Sequence, residues 1–374
     1  MLRRIWSLSV KDFLHLLHDW WLPAFMLLGG ATELLLVGWA TSRPITNLPM
    51  MVFDQDKTAA SRQLVINLEN TETFALQEQV YEMETIQNAM AHGQINAALV
   101  IPAGFEAQLA SEDGSAALLV ILNGAESIPA SEALRAITGV SNEISNRIVI
   151  RRLGMDPDAH AGFGASLRVW FNESLSDALY TTPAELGLML EFTVLLFAAL
   201  AFSRERELGT LEQLLVMPFS SLELIVGKAI PVVIVGFTDF VILLTMVHLA
   251  FDVPIRGSLG LLLVLAAIYI LVELSKGMVI SMISKTQHQA FLLVMLLGMT
   301  DFMFTGYAAP VESMPAILQF VAQFIPAHHW LEILRGILIK GAGLDVLWPH
   351  ILALLLLGSV IGAFSWRFLR RALD

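Results

Sequence analysis

"SRERELGTLEQLLVMP", residues 203–218, follows the run 183–202, twenty residues that carry only two charges, and then places five charges in its first ten positions. The apolar helix before it is expected to run on through "SRERE" until Gly209 breaks it. "TLEQ" then reads as a capping box: the Thr210 hydroxyl accepts from the Gln213 backbone N–H and the Gln213 side chain reaches back. Leu211, Leu214 and Leu215 make one apolar stripe on a short helix that Pro218 ends. "SSLE" supplies a second capping box, Ser220 with Glu223, and opens another apolar run. A short amphipathic helix held between two such runs suits two roles. It is either a lever passing force between a soluble partner and the long helices, or a turn resting on lipid.

The rest of the chain decides whether there is a membrane. Of 374 residues, 56% are hydrophobic and 15% charged, with a mean hydropathy of +0.68. A soluble domain carries roughly 25% charged residues. The apolar residues cluster in 22–42, 183–202, 229–251, 259–283, 289–309 and 346–366. Each run supplies the ~20 residues that cross a bilayer, which predicts an α-helical polytopic protein with six transmembrane helices. Residues 43–182 differ, holding 17 of the 34 acids and 8 of the 22 bases. They read as a water-soluble domain between the first span, 22–42, and a five-helix transmembrane domain, 183–374.

Arg3, Arg4 and Lys11 precede the first span, Arg204, Arg206 and Lys228 flank the second turn, Lys285 the fourth, and Arg367, Arg370 and Arg371 the last. The positive-inside rule makes these flanks cytoplasmic, with both termini inside and 43–182 outside. Arg256, Arg335 and Lys340 count against that orientation. In residues 1–21 no apolar core of a signal peptide survives Lys11, Asp12, His15, His18 and Asp19. On a helix, Arg4, Lys11, His15 and His18 share one face, and Trp6, Val10, Phe13, Leu17 and Trp20 another. That pattern predicts a helix lying on the cytoplasmic leaflet.

The insert alternates element types. "MMVFDQD", "FALQEQV", "INAALVIP" and "AALLVIL" read as strands; "SRQLVINLE", "METIQNAMAH", "GFEAQLA" and a long segment from 130 to 152 read as helices. That order suggests an α/β layer with a largely parallel sheet. The chain has no cysteine, so this domain relies on its core. Asp54 and Asp56 read as an Asx-type turn rather than a cation site.

Two further regions stand out. Residues 305–345 place Pro310, Pro315 and Pro326 and Gly306, Gly336, Gly341 and Gly343 between two apolar runs. Backbone so broken is tolerated at membrane depth only where protein covers it or it lines a cavity. We read re-entrant or interfacial helices forming an outer gate. Within them, His328, His329 and Glu332 read as an interfacial polar cluster rather than a metal site. Several acids also lie inside the spans. Glu273 has Lys276 one turn on, an ion pair. Glu33, Glu191, Asp239 and Asp301 have no local base and are candidates either for a substrate pathway or for helix packing.

The motifs as a set resemble those of ABC-2 type transporter permease subunits of bacterial exporters, the drug-export-like branch. That family carries "REREQGTLEQLLVTP…ELLLGK"; this chain has "RERELGTLEQLLVMPFSSLELIVGK". It also has "KDF", "FDQD", "ALVIPAGF", "VWFNES", "TQHQA" and "TGYAAPVESMPAILQFVAQFIPAHHWLEILRGILIKG" where the family has similar segments. Thr305 for Ser and "WFNES" for "WYNP" are the departures. The resemblance implies that the segment around 204–218 is a coupling helix. Arg204, Glu205, Arg206, Glu207, Gly209, Thr210, Leu211, Glu212 and Gln213 would seat it in a groove of a cytoplasmic ATPase.

No phosphate loop lies in this chain. The nearest match, Gly227-Lys228, has Leu222 where the loop needs its first glycine and Ala229 where it needs Ser or Thr. ATP and Mg are therefore expected on a separate ATPase subunit, with no cofactor on this chain. The resemblance further implies pairing with a second permease, a copy or a sister subunit. A periplasmic adaptor (membrane fusion) protein is an expected partner, and nucleic acid is not. The implied function is export of a hydrophobic or amphipathic, drug-like cargo across the bacterial inner membrane, a cationic one if the intramembrane acids line its path. A sensor with an outer binding domain is the alternative, but the longest inner loop leaves no room for an output domain. An intramembrane hydrolase lacks a nucleophile and base.

Overall fold

The computed structural model describes residues 1–18, 20–42, 45–111, 116–125, 127–152, 171, 177–307 and 310–373. In chain order its elements are α1 (Leu2–His18) and α2 (Trp21–Ser42); β1 (Leu48–Asp54), α3 (Ala59–Glu69), β2 (Phe74–Gln79), α4 (Met83–Ala91), β3 (Ala97–Ile101), α5 (Phe105–Ala110), β4 (Leu119–Leu122) and α6 (Ser127–Arg152); then α7 (Asp177–Glu207), α8 (Leu211–Val216), α9 (Ser221–Phe251), α10 (Leu259–Ile283), α11 (Gln287–Phe304), α12 (Ala316–Ala322), α13 (Pro326–Arg335) and α14 (Leu344–Leu373). These form two compact units, Pro44–Leu167 and the remainder.

The smaller unit is a four-stranded sheet in the order β2-β1-β3-β4. Alternation along the strands gives each face its own core. Met50, Val52, Leu99 and Ile101 pack with Leu64, Leu68 and Ile137 on one side; Met51, Ala98 and Val100 pack with Ile86 and Ala89 on the other. β1 pairs parallel with β2 and β3, as the alternation of elements predicts, but β4 runs antiparallel to β3. β4 closes the edge beside β3, with Ala97 opposite Leu122 and Val100 opposite Leu119.

The two aspartates of "FDQD" have hydrogen-bonded protein partners. Asp54 accepts from the Asp56 and Lys57 amides, both at 2.9 Å, and from the Ser61 hydroxyl at 2.7 Å. Asp56 accepts from the Thr58 hydroxyl at 2.6 Å and from the Gly104 and Glu106 amides, so it also fastens the start of α5.

The larger unit is a helical bundle built around α7, most of which is buried. Three glycines on neighbouring helices let those helices come close. A Cβ on Gly277 of α10 would lie 2.5 Å from the Ala198 Cβ, one on Gly236 of α9 would lie 2.7 Å from Val194, and one on Gly298 of α11 would lie 2.4 Å from Phe192. Small residues at such contacts suit apolar surroundings, where packing rather than water exclusion holds helices together.

Among the described residues, five helices are long and apolar enough to cross a membrane: Pro23–Thr41, Asp177–Glu207, Ser221–Phe251, Leu259–Ile283 and Leu344–Arg371. The count differs from six at the expected span 289–309. That run lies in α11, 18 residues long, which opens with the polar Gln287, His288 and Gln289 and carries Asp301, and so is less apolar than the other five. It ends at Phe304, before the turn at Gly306 where φ is +88°. α7 in turn starts at Asp177, six residues before the run read from 183, and takes Pro183 inside its second turn.

Candidate functional site

The charged end of α7 is where the structure concentrates its polar wiring. Glu205 faces α1 and α9: its carboxylate lies 2.8 Å from Lys11 Nζ and 3.2 Å from Lys228 Nζ, and Lys228 also reaches Asp12 at 3.1 Å. Arg206 faces the other way and donates to the backbone carbonyls of Met282, at 2.9 Å, and Ser284, satisfying the open end of α10. Glu207 accepts from the Gln287 amide at 2.7 Å, at the opening turn of α11. Successive residues of "RERE" thus hold four other helices, α1, α9, α10 and α11, to the end of α7.

Gly209, at φ +72°, turns the chain into α8. The expected Thr210–Gln213 capping box is absent. Thr210 sits in helical geometry and its hydroxyl donates to the Glu205 carboxylate. A capping residue takes extended backbone, whereas Thr210 has φ −93° and ψ −8° with its hydroxyl held at Glu205, so no bond from the Gln213 amide forms. The Ser220–Glu223 box does form, with both reciprocal bonds. On α8, Leu214 is buried with Leu8 and Leu224, and Leu211 is half-buried against the bundle. The Leu215 side chain lies outside the described residues. Glu212, Gln213 and Val216 face outward, Val216 at 87% exposure, beside Leu208 and Met217.

The first helix packs on the bundle through residues outside the two faces read from the sequence. Ile5, Leu8 and Ser9 are buried against α9, while Trp6 and Phe13 are exposed. A Cβ on Gly227 would lie 2.6 Å from Leu8, so only glycine admits α1 there, and Ser9 donates to the Gly227 carbonyl at 2.8 Å. Leu17 lies outside the described side chains.

Of the five intramembrane acids, the structure brings three together. Lys276 on α10 lies 2.7 Å from Glu273, 2.7 Å from Asp301 on α11 and 3.4 Å from Glu191 on α7. One buried lysine thus joins three helices through three carboxylates. Asp239 on α9 is buried apart from them, with Thr193 as polar neighbour and neither carboxylate oxygen in a hydrogen bond of normal geometry. Glu33 is exposed on α2.

At the opposite end, the three prolines each open a turn: Pro310 before the 3-10 turn Val311–Ser313, Pro315 before α12, and Pro326 as first residue of α13. The Gly306 carbonyl accepts from the Tyr180 hydroxyl at 3.0 Å and from Arg335 at 3.3 Å, and the Arg335 guanidinium stacks 3.8 Å above the Tyr180 ring. Tyr307 donates to Glu185 at 2.5 Å. α12 leaves Ile317 and Phe320 exposed, as is Phe324 just after it. His329 meets His350 of α14, Nδ1 to Nδ1 at 3.1 Å, and also the Gln323 carbonyl at 2.9 Å. Among the described residues no group of three such side chains is disposed to hold a metal. The "VWFNES" segment lies outside the described residues except Phe171.

Sequence reasoning missed Asp12 and Lys228, Lys276 as the shared base, Arg335 with Tyr180, and His350. Lys228 and Lys276 had a legible signal. A lysine inside an apolar helix demands a buried acid partner, and three acids were in view.

Comparison with known proteins gives these sites a context. The probable multidrug ABC transporter permease YbhR of Escherichia coli (strain K12) is 28% identical over 374 residues, spanning 99% of this chain and 99% of that protein. The inner membrane transport permease YhhJ of the same strain is 24% identical over 379 residues, spanning 97% and 95%. YbhS, another probable multidrug ABC transporter permease there, is 23% identical over 380 residues, spanning 100% and 98%. A family model for ABC-2 family transporter proteins matches residues 20–367, and the chain belongs to that family.

Proposed function

We propose that this chain is the membrane-spanning permease subunit of an ATP-driven exporter, with α8 as the helix that a separate ATPase subunit grips. One observation carries the proposal. α8 packs on α1 and α9 through Leu214, its cap Thr210 is bonded to Glu205, and Glu205, Arg206 and Glu207 at the end of α7 hold α1, α9, α10 and α11. A push on α8 therefore moves the bundle rather than bending a loop. Six crossings, with the shorter α11 as the fifth, put both termini and α8 in the cytoplasm and the sheet-bearing unit in the periplasm. ATP and Mg belong to the partner. A second permease, copy or sister, completes the route, and a periplasmic adaptor is the expected outer partner.

The cargo class is hydrophobic or amphipathic, as the relatives named for multidrug transport support. Glu33 on the exposed face of α2 and the isolated Asp239 are the acids we place beside a cationic cargo; the segment from Gly306 to Pro326 is the outer gate. The test is on α8. Val216→Asp and Glu212→Lys are expected to leave membrane insertion and melting unchanged while abolishing export and at least tenfold of ATPase capture, about 1.4 kcal/mol. Normal capture and export by both variants would remove the lever.

A further inference from the structure

Beside the turn at Gly306 the larger unit has a cavity of about 380 Å3, the size of ordinary small-molecule sites. Leu179 of α7, Val311 and Ile339 give it an apolar wall, and Glu312, Glu332, Arg335 and Lys340 also line it. Two acids and two bases leave no net charge to choose an occupant. Burial makes the choice instead. Glu312 and Lys340 are exposed, where water and salt screen them. Arg335 is only 9% exposed, and Glu332, one turn earlier on α13, is half-buried.

Neither of these two inner charges has an opposite charge as partner among the described residues. Arg335 donates only to the backbone carbonyls of Gly306 and Tyr180, at 3.3 to 3.4 Å, and its Nε–H has no hydrogen bond. Carbonyls at such lengths are weak partners, and a buried cation without an anion is costly. Glu332 makes no side-chain hydrogen bond, and the histidines that feel its charge, His329 and His350, bond to each other. The cavity thus presents a guanidinium, suited to a phosphate or carboxylate, beside a carboxylate suited to an ammonium.

We infer that this cavity binds a zwitterion, its phosphate or carboxylate at Arg335, its ammonium at Glu332 and its apolar part along Leu179, Val311 and Ile339. Side chains three apart on a helix lie about 5–6 Å from each other at Cβ, a spacing that an anionic group and a nearby ammonium of one small molecule can bridge. Glu332 repels a simple anion and Arg335 a simple cation, so the pair selects against a molecule that satisfies only one of them. Two sources share the chemistry, the head of phosphatidylethanolamine and a free zwitterion such as phosphoethanolamine or an amino acid.

The experiment is native mass spectrometry of the full chain in a neutral maltoside detergent, with equal amounts of phosphatidylethanolamine, phosphatidylglycerol and phosphatidylcholine of the same acyl chains. It reads binding alone, so it stands or falls apart from topology and ATPase coupling. Phosphatidylglycerol lacks the ammonium, and that of phosphatidylcholine has no N–H to donate. One phosphatidylethanolamine per chain should be retained with about tenfold preference over either, equivalent to about 1.4 kcal/mol. Glu332→Gln should melt normally and bring phosphatidylethanolamine down to the phosphatidylglycerol level. Leu179→Trp and, independently, Ile339→Trp fill the apolar end and should lose the lipid. Displacement by phosphoethanolamine assigns the site to either source; resistance to it assigns the site to the lipid. Equal retention of the three lipids by the wild type, an unchanged preference in Glu332→Gln, or undiminished phosphatidylethanolamine on a cavity-filling variant that melts normally, overturns the inference.

Discussion

Replacing Lys276 with methionine nearly keeps the length of the side chain and removes the one cation that, among the described residues, pairs with three buried acids. Glu191, Glu273 and Asp301 lie 3.4, 2.7 and 2.7 Å from its ammonium group, and Glu191 and Glu273 are almost fully buried. Breaking a buried ion pair by removing one partner costs about 3–5 kcal/mol, because the other charge stays buried without compensation. Here the helices remain inserted when the bundle loosens, and acids find partial partners there, so the lower end, about 3 kcal/mol, is the expected loss. At about 2 °C per kcal/mol, as for larger domains, Lys276→Met should melt about 6 °C lower. Intrinsic fluorescence from the eight tryptophans, followed during heating in detergent, reads this directly. Adding Glu191→Gln, Glu273→Gln and Asp301→Asn should recover most of the loss, since a neutral set of similar volume needs no counter-ion. A Lys276→Met protein that melts like the wild type, or a quadruple variant no better than the single one, would refute the view that charge compensation holds α7, α10 and α11 together.

The other expectations are quickly stated. Glu33→Gln should leave melting unchanged and reduce export of cationic compounds more than neutral ones, whereas Glu191→Gln should lower stability and affect all cargoes alike; equal losses for both cargo classes in Glu33→Gln would exclude a pathway role for that acid. Cysteines placed at Asn88 and Ala110 should react with an impermeant thiol reagent from outside intact cells and one at Leu208 should not, with no native thiol to confuse the reading; labelling at 208 would invert the topology. In the smaller unit, the Thr58 hydroxyl first, then the Glu106 and Gly104 amides, hold the Asp56 carboxyl below its ordinary value. A folded-state value lowered in this way gives stability that is complete above the usual Asp value of about 3.9 and is lost as pH falls below it. Amide exchange at Gly104 and Glu106 should accordingly rise in Asp56→Asn over wild type at pH 6 and match it at the lowest pH. Equal protection at pH 6 would show that Asp56 does not fasten α5.

The sequence made most of the architecture legible because its signals were local. Runs of apolar residues, alternating strands and helices, "SSLE" as a cap and Gly209 as a break all act within a few residues. The cap and the break appear where read, while the run 289–309 ends early at Phe304 and the one from 183 starts early at Asp177. What escaped were choices settled by distant partners. Thr210 had a good local box in "TLEQ", yet Glu205 offered a charged acceptor from the preceding helix. α1 had a plausible lipid face in Trp6 and Phe13, but which face met the protein depended on Gly227, some two hundred residues away. Glu191 and Asp301 had no local base because their base is on another helix, and the direction of β4 is a pairing choice that no residue near it announces.

The length of α11 has a consequence for the membrane itself. Eighteen residues of helix span about 27 Å, against a hydrocarbon core of about 30 Å, and its neighbour α7, at 31 residues, is far longer. On the six-span reading, the bilayer beside α11 is drawn thinner by hydrophobic mismatch, at fractions of a kcal/mol per Å. The turn at Gly306, the exposed Ile317 and Phe320 of α12 and Phe324 just after it then lie, on that reading, at the floor of a dimple in the outer leaflet. Lipid there has less acyl chain to pack, and a molecule leaving by that side has a shorter layer of hydrocarbon to cross than anywhere else around the bundle.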